Sequence, residues 1–309
     1  MKSVVVTKNL TRKFGDFTAV DQLNISINKG ELYGFLGPNG AGKSTTIKML
    51  CGILEPTSGT GTILNYDLLS ETDAIKSRIG YMSQKFSLYE DLTVKENMNF
   101  YAGIYNLSKK EKRERITELI ETVQLHDVEN ELVENLSSGW KQRVALSCAI
   151  ISKPALLFLD EPTSGVSPTS RREFFDIIQD IAHSGTTIMI STHFMDEAER
   201  CHRIAFISNG LLLAMDTPEN LKRNVLEGYL VQIKIPDFMN KIQEIETLPY
   251  VKDCSIHGSV LHVLLKEKTN AFIFEKWCGV KVKPIIPSLE DVFLSLVKGQ
   301  REGGRNELK

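Results

Sequence analysis

The sequence predicts an α/β core with a helical insertion, followed by a smaller α+β domain. Three observations support this. The apolar run Leu32 to Leu36 ends in a Gly-rich turn and leads into a helix-like stretch from about Ser44 to Cys51. Leu156 to Leu159 and Thr187 to Ile190 are short and mostly apolar, which suits strands buried on both faces of a sheet. Ahead of them, Phe86 to Ser152 has a helical texture, so an α/β arrangement with an inserted helical region is the natural reading.

Val4-Val5-Val6 is strand-like, and Leu23 to Ile27 alternates as a half-buried strand should. Thr60 to Leu64 and Ile79 to Met82 read as further strands. In the insertion, Thr93-Val94-Lys95-Glu96 and Ser108-Lys109-Lys110-Glu111 fit the capping box, in which hydroxyl and carboxylate satisfy free helix N–H groups. Ile116, Leu119, Ile120 and Val123 share one helical face. Thr217-Pro218 reads as a cap followed by Pro at the first helical position.

The pattern restarts near Glu227-Gly228. Tyr229 to Ile233 reads as strand and Asp237 to Ile245 as helix. Val251 to Ile256 and Val260 to Leu265 read as a strand pair, Asn270 to Trp277 as helix and Val280 to Ile286 as extended. That β-α-β-β-α-β order is ferredoxin-like, and Pro284 confines the last strand to a sheet edge. Ser288 to Asp291 caps a final helix reaching about Val297. The expected division is a core over 1–226 (insertion about 86–152), an accessory domain over 227–298 and a polar tail over 299–309.

Composition narrows the function. The 309 residues are 42% hydrophobic and 25% charged, and net charge is 37 − 39 = −2. Nucleic-acid binders usually carry a basic excess, so no nucleic-acid partner is expected. No segment approaches the roughly 18 uninterrupted apolar residues of a membrane helix. Met1 to Thr7 lacks the apolar core of a signal peptide. Five scattered cysteines with no C-x-x-C fit a reduced, cytosolic compartment rather than a disulfide framework or zinc site. Any membrane role has to come through a partner.

Gly37-Pro38-Asn39-Gly40-Ala41-Gly42-Lys43-Ser44 matches G-x-x-x-x-G-K-[ST] in full. The glycines let backbone N–H groups approach phosphate oxygens, and the helix that follows adds its positive end. Lys43 is expected to reach the β- and γ-phosphates and Ser44 to ligand Mg²⁺. Leu156-Leu157-Phe158-Leu159 ends in Asp160-Glu161, at a strand end where α/β sheets place their chemistry. Asp160 is expected to hold Mg²⁺ through water, and Glu161 to orient and deprotonate the attacking water.

Together these motifs make the chain, from about Val4 to Leu221, similar to an ABC-family nucleotide-binding subunit: a P-loop ABC ATPase core. Leu136-Ser137-Ser138-Gly139-Trp140-Lys141-Gln142-Arg143 resembles the family signature, whose consensus reads L-S-G-G-Q. Gln84 stands at the glutamine loop, His193 in Ser191-Thr192-His193 at the switch histidine, and Thr163 to Pro168 at the dimer-contact loop. Phe14 fits the aromatic that stacks on adenine.

The resemblance implies ATP and Mg²⁺ as ligands, with Thr45 beside the phosphate loop. It implies a head-to-tail dimer in which Ser137 and Gly139 contact the γ-phosphate in trans. Gln84 then senses Mg²⁺ and water, and His193 holds the γ-phosphate. The segments around Thr93 to Asn97, Ser191 to Cys201 and Ser288 to Phe293 look like the bacterial drug- and polysaccharide-exporter branch. That implies integral membrane permease partners, a second homo- or heteromeric ATPase subunit, and a peripheral place on the cytoplasmic face of the membrane.

Ser138 replaces a signature glycine, Trp140 the following glutamine, and Ser167 the usual aspartate of the dimer loop. These departures imply slower hydrolysis with binding retained. They leave open a low-activity regulatory half of a heterodimer. A soluble ABC ATPase acting on DNA or ribosomes and an unrelated P-loop enzyme such as a GTPase are the other readings. His126, His183, His202, His257 and His262 match no motif and read as surface or packing residues. The spacing of His193, Cys201 and His202 fits no zinc pattern.

Overall fold

The computed structural model of the protein describes residues 2–85, 87–235 and 238–306. The chain forms two compact units, Met1–Met215 and Asp216–Lys309.

The first unit opens with β1 (Ser3–Phe14), β2 (Phe17–Leu23), β3 (Ser26–Asn28), β4 (Leu32–Leu36) and α1 (Lys43–Leu50). Next come β5 (Ser58–Ile63), β6 (Tyr66–Asp67), α2 (Thr72–Lys76) and β7 (Ile79–Met82). The helical stretch holds α3 (Val94–Ile104), α4 (Lys109–Thr122) and α5 (Ser138–Ile150). The unit continues through β8 (Leu156–Asp160), α6 (Pro168–His183), β9 (Thr187–Thr192), α7 (Met195–Ala198), β10 (Arg203–Ser208) and β11 (Leu211–Asp216).

Two sheets result. One is ordered β2-β1-β5-β6, with β3 also on β1, and its pairs are antiparallel. The other is ordered β11-β10-β4-β9-β8-β7. From β10 to β7 its neighbours run parallel. Parallel strands covered on both faces read as continuous apolar runs, and every residue of β4, β8 and β9 is buried. Side chains alternate across a strand. Tyr33 and Phe35 of β4 join Phe158 and Met189 in a core shared with Ile47 and Leu50 of α1 and with Val5, Ile27 and Ile63 of the antiparallel sheet.

Both expected capping boxes are present, at Thr93 and Ser108. Ile116, Leu119, Ile120 and Val123 are buried together. The strand expected over Leu23 to Ile27 is instead broken between β2 and β3. There Gln22 takes φ +45°, and the Asn24 amide donates to the Gln22 carbonyl (2.6 Å) and to Asn9 Oδ1 (3.0 Å). Asn readily offers backbone such an alternative to a ladder.

The second unit contains α8 (Pro218–Asn224), β12 (Tyr229–Ile233), α9 (Phe238–Glu246), β13 (Val251–His257) and β14 (Val260–Leu265). It ends with α10 (Asn270–Cys278), β15 (Lys283–Pro284) and α11 (Leu289–Asn306). Its antiparallel sheet is ordered β13-β14-β12-β15, so β14 lies between the two strands of the first β-α-β. This is the split β-α-β arrangement, packed around Val231, Ile233, Val263, Leu265 and Phe274. Pro284 stands on the edge strand, where a missing N–H costs no ladder bond.

The unit begins at Asp216 rather than near 227 because α8 packs on α11. The last helix runs to Asn306 rather than stopping near Val297. Of the expected boundaries, Met1, Phe86, Asp237 and the final residues 307–309 lie outside the described residues.

Candidate functional site

Three neighbouring parallel strands, β4, β9 and β8, end side by side. Leu36 pairs with Thr192 and Asp160 with Ser191. The loop after β4, the acidic pair ending β8 and the histidine after β9 are thereby brought to one edge, the carboxyl end where open α/β sheets bind ligands.

Gly42 caps α1 with φ +103°. A Cβ there would stand 2.4 Å from the Ala19 carbonyl oxygen, so only glycine fits. Lys43 is buried, and its Nζ donates to the carbonyls of Gly37 (2.8 Å) and Pro38 (3.0 Å). The same Nζ lies 2.8 Å from Glu161 Oε1. Ser44 Oγ donates to Asp160 Oδ1 at 2.9 Å.

Burial pushes the Asp160 carboxyl above the usual carboxylate range. Hydrogen bonds from Ser191 and Ser44 oppose the rise, and the adjacent Glu161 charge adds to it. Glu161 takes φ +47°, left-handed backbone that L side chains rarely adopt. Its N–H donates to Ser191 Oγ at 2.9 Å, and that hydroxyl donates in turn to Asp160 at 2.8 Å. Gln84 Nε2 donates to Glu161 Oε2 at 3.2 Å, and His193 Nδ1 lies 3.6 Å from the same oxygen.

Lys43, Ser44, Gln84, Asp160, Glu161 and His193 therefore converge. A cleft of about 360 Å³ opens over Lys43, Ser44, Thr45, Asn39, Gly40 and Gly42. Phe14 stands on its wall, half exposed, with the Arg12 guanidinium 4.6 Å from its ring centre.

Ser137 and Gly139 stand elsewhere, at the start of α5. No hydrogen bond among the described residues ties either to the phosphate loop. Ser137 occupies the N-cap position without a side-chain cap bond, which leaves its hydroxyl available. The Gly139 backbone lies against Ser170 of α6 and Val166 of the preceding loop. Ser167 caps α6, accepting from Ser170 N–H. Trp140 lies beneath the Arg143 guanidinium, 5.1 Å from its ring centre.

The structure adds residues that sequence reasoning missed. Phe17 pairs with Phe14 across the β1–β2 hairpin and also lines the cleft. Ser191 bridges the acidic pair. Glu197, buried on α7, accepts from Thr163 Oγ1 (2.6 Å) and Thr192 Oγ1 (2.5 Å). It thus joins the loop after β8 to the end of β9, beside His193. Burial raises its carboxyl, against the opposing hydrogen bonds from Thr163 and Thr192.

The donor set fits a magnesium nucleotide. Backbone N–H groups and Lys43 suit phosphate oxygens. The hydroxyl of Ser44, the carboxylate of Asp160 and the amide oxygen of Gln84 are the hard ligands Mg²⁺ prefers. His193 Nδ1 is buried without a hydrogen bond among the described residues.

Residues 20–164 match the family described as ABC transporter. The chain is 48% identical over 221 residues to the probable multidrug ABC transporter ATP-binding protein YbhF of Escherichia coli (strain K12), covering 72% of this chain and 38% of that protein. It is 34% identical over 304 residues to the linearmycin resistance ATP-binding protein LnrL of Bacillus subtilis (strain 168), covering 94% and 96% of the two chains. Its fold is similar to a dimeric post-hydrolysis state of the ATP-binding cassette MJ0796 bound to ADP and Pi, with a TM-score of 0.63, 26% identity and coverage of 69% and 98%. It is an α/β P-loop cassette in fold. With this site at the strand ends and these relatives, the chain belongs to the ABC transporter family.

Proposed function

We propose that this chain powers a membrane exporter by closing on ATP as one half of a cassette dimer. The convergence of Lys43, Asp160, Glu161, Gln84 and His193 at the ends of four adjacent strands, β4, β9, β8 and β7, carries the reading. Its partners are a second cassette and integral permease subunits. The described residues include no helix long and apolar enough to cross a membrane. In this reading the permease supplies the span and this chain docks at the cytoplasmic face. No nucleic-acid partner is called for. The names of YbhF and LnrL support a drug-like substrate.

Bound ATP would supply the γ-phosphoryl group, and Mg²⁺ would offset the negative charge that develops on it. Phe14 stacks on the base. The N–H groups of Asn39 to Thr45 would hold the phosphates, while Ser44, Asp160 and Gln84 would hold the cation. Lys43 exchanges Glu161 for phosphate oxygen. Freed, the Glu161 carboxylate takes a proton from water as its oxygen bonds to the γ-phosphorus. The bond to the ADP oxygen breaks, and phosphate leaves. His193 donates to the γ-oxygens as charge builds. From the second cassette, the equivalents of Ser137 and Gly139 close over the same phosphate.

Steady-state Mg²⁺-ATPase activity across protein concentration tests this. Turnover rising more than linearly, and falling about 10²–10⁴-fold in Glu161→Gln, is expected. Activity linear in concentration and indifferent to Glu161→Gln overturns it.

A further inference from the structure

Two histidines far along the sequence from the nucleotide motifs meet in the second unit. His257 ends β13 and His262 lies on β14, whose residues pair in antiparallel register. The two rings stack, with centres 3.8 Å apart and planes 16° from parallel. His257 Nε2 and His262 Nδ1 each lie 2.9 Å from one oxygen, Asp291 Oδ1. Asp291 is buried in the first turn of α11. Its other oxygen accepts from the Ser288 N–H (2.9 Å) and hydroxyl (2.7 Å). That anchor fixes the carboxylate and leaves Oδ1 facing the imidazoles.

We infer that His257, His262 and Asp291 form a site for one divalent transition-metal ion of the zinc class. Two imidazole nitrogens and a carboxylate oxygen, all within 4.8 Å of one another, are a ligand set such ions select. Ser255 Oγ, 3.2 Å from His257 Nε2, adds an oxygen at the same place.

Two further features point to a ligand. A void of about 10 Å³ opens beside the cluster, lined by Ser255, His262, Asp291 and Asp253, close to the volume of one water-sized sphere. Behind His257, its other nitrogen, Nδ1, faces Glu290 Oε2 at 3.8 Å. A metal-bound imidazole commonly donates its second N–H to a carboxylate, which fixes the tautomer. In the bound form each ring would offer a lone pair from the nitrogen facing Asp291 and keep its N–H on the other, Nδ1 in His257 and Nε2 in His262. The ion then ties the β13–β14 hairpin to α11.

The test is titration of the chelator-stripped full-length chain with Zn²⁺, and with Co²⁺ as a spectroscopic substitute. One ion per chain is expected, with visible Co²⁺ absorption free of thiolate charge transfer. His257→Gln with His262→Gln should weaken affinity at least 100-fold. Glu290→Gln, exposed and remote from the core, should weaken it about tenfold. Absence of binding by the wild-type chain, a thiolate band placing Co²⁺ on cysteine, or unchanged affinity in a folded double variant overturns the assignment. If the double variant misfolds, the wild-type spectrum and Glu290→Gln still decide it.

Discussion

Lys43 and Glu161 form a buried ion pair, Nζ to Oε1 2.8 Å, with each side chain under a tenth exposed. Each is the other's charge partner in this arrangement, so phosphate must displace the carboxylate to reach the lysine. Lys43→Met would strand a buried carboxylate, at a cost of about 3–5 kcal/mol. Adding Glu161→Gln should recover most of that loss. Urea unfolding of the two single variants and the double measures the coupling, and simple additivity would show the pair to be energetically idle.

Phe14 and Phe17 face each other across a hairpin and share the cleft wall. Base–aromatic stacking is worth about 1–3 kcal/mol. Phe14→Ala should therefore weaken ATP binding at least fivefold while changing affinity for inorganic triphosphate little. Calorimetry of all four combinations, including Phe17→Ala, tells which ring meets the base. Equal losses for both ligands would rule out stacking.

Ser167 keeps the capping role an aspartate would fill, because its hydroxyl accepts from Ser170 N–H. Ser167→Ala should cost about 1 kcal/mol, whereas Ser167→Asp should leave stability nearly unchanged. The proposed effect of this position on hydrolysis is separate from the cap. Combining Ser167→Asp with Ser138→Gly should raise turnover without changing ATP affinity. Unchanged turnover would mean that these two departures do not limit the rate.

Glu197 titrates above the ordinary carboxylate range because folding buries it. Its ionised form is thus disfavoured in the folded chain relative to the unfolded one. The wild type should gain stability over Glu197→Gln as pH falls through the raised value. The gain should level off below the unfolded value, about 4.5. Paired unfolding curves check the sign; a difference that shrinks on acidification contradicts it.

The phosphate loop and acidic strand end were legible because each is contiguous, and because strands buried on both faces write themselves as apolar runs. Capping boxes were legible for the same local reason. Phe17, Ser191 and Glu197 were not. Phe17 acts through hairpin register, Ser191 through the pairing of β8 with β9, and Glu197 through hydroxyls from the loop after β8 and the end of β9. None of these relations has a fixed spacing. Leu23 to Ile27 misled because its alternation continues through a bend set by the Asn24 side chain. His257 and His262 looked unremarkable because Asp291, their shared partner, comes from a distant helix.

The strand order of the parallel sheet has a consequence for synthesis. β4, which carries the phosphate loop, lies between β9 and β10, both made much later. Such long-range pairings form slowly, and domains tend to complete as units on the ribosome. A nascent chain ending before Thr187 holds the whole loop sequence without the neighbours that set its height and tilt. Acquisition of nucleotide affinity would then mark a late step of biogenesis, and ATP at cellular concentration would favour chains that have just finished folding.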